Sequence, residues 1–345
     1  MIRRILVYST GVFALVALLW MIGGDDLIEL LSNVSPAWLI LTAVCWVSAF
    51  AIRGARWKIL LSPVGKDVAF SSSFWSISMS YLVNFILPTK WGSEVVRAFA
   101  LSKKEKVSFL QTFSSIAVEK VLDLLTMVTL GSGALVFLPT IIPVPLWVFY
   151  VLKVLALLAV ALLVGLLIVS WKLKHLVDKI DVQANALGSI RRRVLITISA
   201  LASGAGWVLG YPVIFLRSLG LTFILWFVFS AGVYGVFLSF GIAPEPLAIL
   251  LGTLLISFAY VLPNVPGYVG TYEGIWVLVF LGLGLGTSQI VFAGAVVGHL
   301  VSTAITVSLG SLGLMKAGMS LAESLRIRRY HVQATMPAKK WRDLA

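Results

Sequence analysis

Apolar residues in this chain come in long runs rather than in alternation or in narrow amphipathic stripes. Ten runs stand out: Ile5 to Ile22, Ala37 to Ile52, Val68 to Pro88, Phe109 to Leu138, Pro145 to Ser170, Val194 to Leu216, Leu221 to Ile242, Leu247 to Leu262, Ile275 to Gly286 and Ile290 to Met315. Most approach the ~20 residues that carry a helix across ~30 Å of hydrocarbon, while the short dyad-alternating segments of a membrane barrel are missing. A spanning helix closes its own backbone hydrogen bonds, so the pattern predicts an all-α polytopic membrane protein.

The connections between runs separate sharply by charge. Lys and Arg number two before the first run, four in 53–67, five in 89–106, six in 171–193 and seven from Lys316 onward, together 24 of the 27 in the chain. The connections 23–36, 139–144 and 287–289 carry none, and the first of them holds Asp25, Asp26 and Glu29. The positive-inside bias therefore expects a multi-pass protein of the cell (plasma or inner) membrane with both termini cytoplasmic. Ile5 to Ile22 reads as a retained first helix, because no small-x-small cleavage site follows it.

Val68 to Pro88 is flanked on both sides by basic segments, so it should enter and leave by one face as a re-entrant element. Parity then has Leu247 to Leu262 crossing outward and Pro263 to Gly286 dipping back from outside. A cysteine at Gly241 is accordingly expected to resist an impermeant external thiol reagent. The full expectation is about eight transmembrane helices plus two re-entrant segments of opposite orientation in a single integral membrane domain. An inverted repeat between 1–170 and 171–315 and a basic cytoplasmic tail over 316–345 complete it.

Two stretches share a pattern inside these runs. Asn84 to Arg97 and Leu262 to Gly274 each read Leu-Pro, a few residues, Gly, then Glu. Pro88, Gly92, Pro263, Pro266, Gly267 and Gly270 are the predicted helix breaks. Breaks beside a carboxylate are costly in lipid, where an unpaired charge at mid-membrane costs about 2.5–3.5 kcal/mol, so each marks a candidate site. Asn84 and Asn264 flank the two Leu-Pro pairs; backbone capping is their expected duty and a head-group contact the alternative.

Charged residues within the runs extend the candidate site. Glu119 and Asp123 stand four apart, hence on one helix face, where like charges repel unless Arg97, Lys90 or a polar substrate group compensates. The simpler alternative places Glu119 at the cytoplasmic interface and Asp123 in a structural pair. Glu94 and Arg97 open a helix, and Arg97 can offer a planar fork to phosphate or to Glu119. Glu273 has no evident partner, which favours a functional role. His299 is expected in an interhelical hydrogen bond, with a proton relay or head-group contact as the alternative. Arg53, Arg56, Trp57 and Lys58 read as an interface anchor, and Gly204, Gly206 and Gly210 as close helix packing.

Composition agrees with the pattern: 60% hydrophobic residues, 12% charged and a mean hydropathy of +1.02 leave too little polar surface for a soluble globule. The net charge of +13 follows from the orientation rule and would attract anionic lipid; nucleic acid is not an expected partner. One cysteine, Cys45, excludes an intrachain disulfide, and no second His or Cys stands at metal-ligand spacing, so neither metal nor cofactor is expected.

At these residues the chain resembles the lysylphosphatidylglycerol synthase membrane-region family of flippase-like integral membrane proteins. The resemblance rests on Arg56-Trp57 with Leu60, on the Asn84 to Arg97 motif, on Glu119 with Asp123, and on Leu262-Pro263-x-x-Pro266-Gly267-x-x-Gly270-x-x-Glu273. It implies transbilayer movement of a polar lipid. Family members often carry Arg where His299 stands, and this chain leaves no room for the soluble aminoacyl-transferase domain, so lipid charging is not expected.

The leading expectation is a flippase or scramblase, not an enzyme, with Asn84, Glu94, Arg97, Glu119, Asp123, Asn264, Glu273 and His299 along the path of a phospholipid or other polar lipid bearing an anionic or aminoacylated head group. A homo-oligomer is compatible with it. The first alternative is a membrane glycosyltransferase using a polyprenyl-phosphate sugar, with Asp25 and Asp26 as its acids; the second is an ion-coupled carrier of a small solute.

Overall fold

The computed structural model describes residues 29–64, 67–86, 90–183, 211–259 and 265–325. Its long elements are all α-helices: α1 (Pro36–Leu61), α2 (Phe70–Ile86), α3 (Lys90–Glu105), α4 (Phe109–Phe137), α5 (Leu146–Gln183), α6 (Pro212–Ser239), α7 (Pro246–Ala259), α8 (Thr271–Gly282) and α9 (Ser288–Ala317). Among the described residues there is no strand. Proline opens α1 and α6, where its missing N–H costs nothing. Thr287 caps α9, and Gly318 ends it at φ 62°.

Among the described residues four segments are long and apolar enough to cross a membrane: Pro36–Leu61, Gln111–Thr140, Pro212–Ser239 and Ser288–Ala317. Leu146–Leu162, Pro246–Ala259 and Thr271–Gly282 are shorter apolar helices. The run Ile5 to Ile22, most of Val194 to Leu216 and the tail beyond Leu325 lie outside the described residues, as do Asp25, Asp26, Gly204, Gly206 and Gly210.

Helix α6 differs from the sequence expectation in its start and its direction. The runs Val194 to Leu216 and Leu221 to Ile242 are not separated at Arg217 to Gly220. The helix continues through them, with Ser218 buried and its carbonyl accepting from Thr222 Oγ1 at 2.7 Å. It lies antiparallel to α1: Ser35 N–H donates to Ser239 O at 2.9 Å, Thr42 Oγ1 to Gly232 O at 3.1 Å, and Arg56 Nη1 to Thr222 Oγ1 at 3.0 Å. Residue numbers rise along one helix as they fall along the other.

This antiparallel pairing puts Gly241 at the end of α6 away from the Arg53–Lys58 end of α1, which argues against its expected location on the basic face. The Ser239 end of α6 sits beside Ser35, on the face whose connection is acidic, opposite the Arg53–Lys58 end of α1. Basic residues gather at that other end: Lys103 pairs with Glu323 at 3.5 Å, Lys104 donates to Lys316 O at 3.4 Å, and Lys58 pairs with Asp67 at 3.1 Å. With the basic end cytoplasmic, Ala243→Cys in a Cys45→Ala background should label readily with an impermeant reagent added outside. Protection of that cysteine, with labelling from inside only, would restore the original topology.

Two helical hairpins flank the predicted breaks. In the first, Met79, Leu82 and Val83 of α2 pack on Val96 and Ala100 of α3, folding one helix back on the other. In the second, Phe280 of α8 lies against Gly252 of α7, side by side rather than end to end. At 1.5 Å per residue these helices are ~18–26 Å long, short of a full crossing. Gly92 is not part of the first break; it falls inside the opening turn of α3, where the helix can still start because its first N–H groups need no intrahelical partner. Pro88, Pro263 and Asn264 lie outside the described residues.

The packing order is matched around the two hairpins. Helix α2 packs on α9 and α7 on α4; α3 packs on α4 and α8 on α9; α1 packs on α2 and α6 on α7. The contact of α9 with α2 is close enough that a Cβ at Gly313 would meet Trp75 O at 2.7 Å and Met79 N at 2.8 Å. Small residues permit this approach, and the backbone there has no flexible end that could yield.

Candidate functional site

Near the basic end, six ionisable side chains form one network. Asp123 is the fifteenth residue of the 29-residue α4, close to its middle, and Glu119 lies one turn nearer the basic end. Arg56 reaches both: its guanidinium pairs with Asp123 through both terminal nitrogens and with Glu119 Oε1 at 3.1 Å, and it donates to Thr222 Oγ1. Arg97 stands between Glu119 at 3.4 Å and Glu94 at 2.8 Å, and Lys120 closes the chain on Glu94 at 2.7 Å. Three cations face three carboxylates, so the cluster is neutral as a whole.

Its burial is what distinguishes this network from a surface salt bridge. Side-chain exposure is 0% for Arg56, 3% for Arg97 and 2% for Glu119, rising to 14% at Asp123, 16% at Glu94 and 50% at Lys120. The Arg97 guanidinium lies 4.6 Å from the centre of the Trp57 ring, whose Nε1–H donates to Ser115 Oγ at 2.9 Å. The Nε atoms of Arg56 and Arg97 are buried without a protein partner. The contacts of Arg97 with Glu119, 3.4–3.5 Å, are longer than the 2.7–2.9 Å usual for charged pairs.

Arg56 and Trp57 thus correct the expectation of an interface anchor. Both are fully buried, and Arg56 is the main counter-charge of Asp123. Arg97 pairs with Glu119 as one expectation had it, while Glu119 is buried rather than interfacial. The side chain of Lys90 lies outside the described ones.

The second break holds a separate group. Gly267 (φ 73°), Tyr268 (φ 58°) and Gly270 (φ 76°) turn the chain into α8 through backbone conformations that glycine supplies readily. Glu273, at the third position of α8, accepts the Gly270 N–H at 2.8 Å, which fixes the turn as a helix cap. Its other oxygen lies 2.6 Å from His299 Nδ1, and His299 Nε2 lies 2.9 Å from Gly267 O. The Tyr272 ring stacks on the imidazole at 4.6 Å and 11°. Glu273 is therefore not isolated; its partner is His299, 26 residues away and invisible to local pattern. His299 keeps the interhelical bond expected of it.

Asn84 joins the two breaks. Its amide nitrogen donates to Tyr268 Oη at 2.6 Å, and the neighbouring Phe85 ring lies 6.2 Å from the Tyr268 ring. Among the described residues this donor goes to a side-chain acceptor of the other hairpin rather than to backbone. Lys120, Thr222, Tyr268 and Tyr272 escaped the sequence reading. Charge arithmetic could have found one more site residue: three acids within or beside the apolar runs, Glu94, Glu119 and Asp123, need three cations, and Arg97 with Lys120 supplies two.

The architecture and these residues meet in one comparison. Residues 4–310 match the family model described as the lysylphosphatidylglycerol synthase TM region. The chain belongs to this family. A UPF0104 membrane protein of Methanothermobacter thermautotrophicus is 23% identical over 91% of this chain and 96% of its own. A UPF0104 membrane protein of Methanocaldococcus jannaschii is 34% identical over 110 residues, 32% of this chain and 33% of that relative. A protein of Haloferax volcanii named glycosyltransferase AglD is 25% identical over 94% of this chain but only 56% of its own length.

Proposed function

We propose that the protein moves a polar or charged lipid across the bilayer, as a flippase or scramblase, with the head group passing the two clusters while the acyl tails stay in lipid. The observation that carries this reading is the meeting of two broken hairpins, each bearing buried ionisable groups, through the Asn84–Tyr268 bond. An unaided charged head group meets a penalty of many kcal/mol in hydrocarbon, and fixed counter-charges offset it. Membership of the lysylphosphatidylglycerol synthase TM region family supports a lipid-related role.

The reading includes an inverted repeat in which α1, the α2/α3 hairpin and α4 correspond to α6, the α7/α8 hairpin and α9, with both hairpins re-entrant from opposite faces. The antiparallel α1/α6 pair and the matched packing favour it. So does position: Lys120 stands eleven residues beyond Phe109 and His299 eleven beyond Ser288, and each meets a glutamate of the neighbouring broken hairpin. Such repeats place substrate sites near the midplane of transporters.

The test is reconstitution into vesicles carrying head-group-labelled phospholipids, with dithionite bleaching of the outer leaflet. Bleaching well beyond half of the dye is the expected result; bleaching that stops at half for every lipid would sink the reading. That outcome would favour the sugar-transfer enzyme suggested by the name of the Haloferax relative, or a small-solute carrier.

A further inference from the structure

We propose that Glu273 and His299 share a single proton that latches the second break to α9, and that release of this proton is how an ion gradient reaches the lipid path. The coupling to lipid rests on the reading above; the latch itself does not. Its warrant is a count of hydrogens. The Gly267 carbonyl can only accept, so His299 Nε2, 2.9 Å away, carries hydrogen. The 2.6 Å contact of Nδ1 with Glu273 Oε1 then needs one hydrogen more, on the ring as imidazolium facing carboxylate or on the acid facing neutral imidazole. In either arrangement the pair is neutral.

Removing that hydrogen sets a carboxylate oxygen against a ring-nitrogen lone pair inside a site where Glu273 is 4% and His299 9% exposed. The contact becomes repulsive and the pair gains a net charge of −1 in a poorly solvated place. The glutamate also holds the Gly270 N–H and the histidine holds Gly267 O, so the same contact pins both left-handed glycines of the break. Tyr268 between them carries a left-handed backbone that a non-glycine residue adopts only at a cost. With the latch gone, the turn is free to relax. Because Tyr268 holds Asn84, the motion reaches α2 and the first hairpin.

Few other groups compete for the proton. From α8, Tyr272 stacks on the ring; from the break, Tyr268 is held by Asn84; from α2, Tyr81 is the titratable residue near Tyr268. Among the described residues no Asp, Lys or Arg pairs with Glu273 or His299. The released proton passes to water entering the opened turn, and water at the same place returns it. One proton leaves and one is restored per cycle, with no other bond made or broken.

The experiment is hydrogen–deuterium exchange of the full chain in phosphatidylethanolamine–phosphatidylglycerol vesicles from about pD 5.5 to about pD 9. Rates for the peptide over 265–274 are corrected for base-catalysed intrinsic exchange and referenced to an α1 peptide. Protection of the break should fall by about tenfold or more across that window as the turn opens locally. It should stay flat in Glu273→Gln, which cannot lose a proton, and in His299→Arg, whose guanidinium stays charged. Flat protection in the unaltered protein, or an equal fall in both variants, would overturn the latch.

Bleaching of nitrobenzoxadiazole-labelled phosphatidylethanolamine in the same vesicles separates the two ideas. Bleaching past half with flat protection leaves transport standing without the latch. A pH-dependent turn with bleaching arrested at half leaves the latch standing without lipid transport.

Discussion

Arg56→Ala should lower the stability of the folded protein by about 3–5 kcal/mol, the usual consequence of stripping one partner from a buried ion pair. Among the described residues no other cation pairs with Asp123, and Glu119 would keep only Arg97 at its longer 3.4 Å contact. The guanidinium also fills the space between α1, α4 and α6, where it donates to Thr222, so the loss is one of packing as well as charge. Arg56→Lys should recover little of it, because one ammonium cannot reach Asp123, Glu119 and Thr222 in their fixed fork geometry. Thermal unfolding in detergent, followed by size-exclusion chromatography, reads the effect. An unchanged midpoint for Arg56→Ala would mean that solvation by water, not pairing with Arg56, is what makes the Asp123 carboxylate tolerable there.

Arg56 also shows what local sequence conceals. An Arg-x-x-Arg-Trp-Lys segment at the end of an apolar run has the composition of an interface anchor, and nothing within several residues signals that one of its arginines turns inward. The acids that demand it lie 63 and 67 residues further on, at Glu119 and Asp123. Glu273 and His299 present the same difficulty, since a histidine alone in an apolar helix says nothing of its partner across the fold. The turn at Pro266 to Gly270 was readable, because Pro, Gly and Glu together are rare in a spanning run, and so was the shared face of Glu119 and Asp123. The direction of α6 was not: Arg217 and Gly220 look like a gap, yet tertiary packing of the buried Ser218 and Thr222 against α1 outweighs that local signal.

Arg97→Ala should do the reverse of Arg56→Ala, sparing the fold and slowing transport. Both carboxylates that Arg97 touches keep a cation without it, Glu119 through Arg56 at 3.1 Å and Glu94 through Lys120 at 2.7 Å. Trp57 loses its charged cover but remains fixed to Ser115. The stability loss should therefore be well below that of Arg56→Ala. Arg97 is also the more loosely held of the two guanidiniums on Glu119, with contacts of 3.4–3.5 Å where Arg56 holds the same carboxylate at 3.1 Å. A guanidinium in that condition can exchange a carboxylate for a phosphate oxygen at small cost, as the bidentate fork suits either. Loss of one buried charged partner, about 2 kcal/mol, corresponds to a fall in translocation rate on the order of thirtyfold or more. Stopped-flow bleaching of labelled lipid in vesicles, beside the detergent unfolding midpoint, measures both quantities on one preparation. If Arg97→Ala unfolds as readily as Arg56→Ala, or bleaches at the unaltered rate, Arg97 is a structural cation and the head group must find its counter-charge elsewhere.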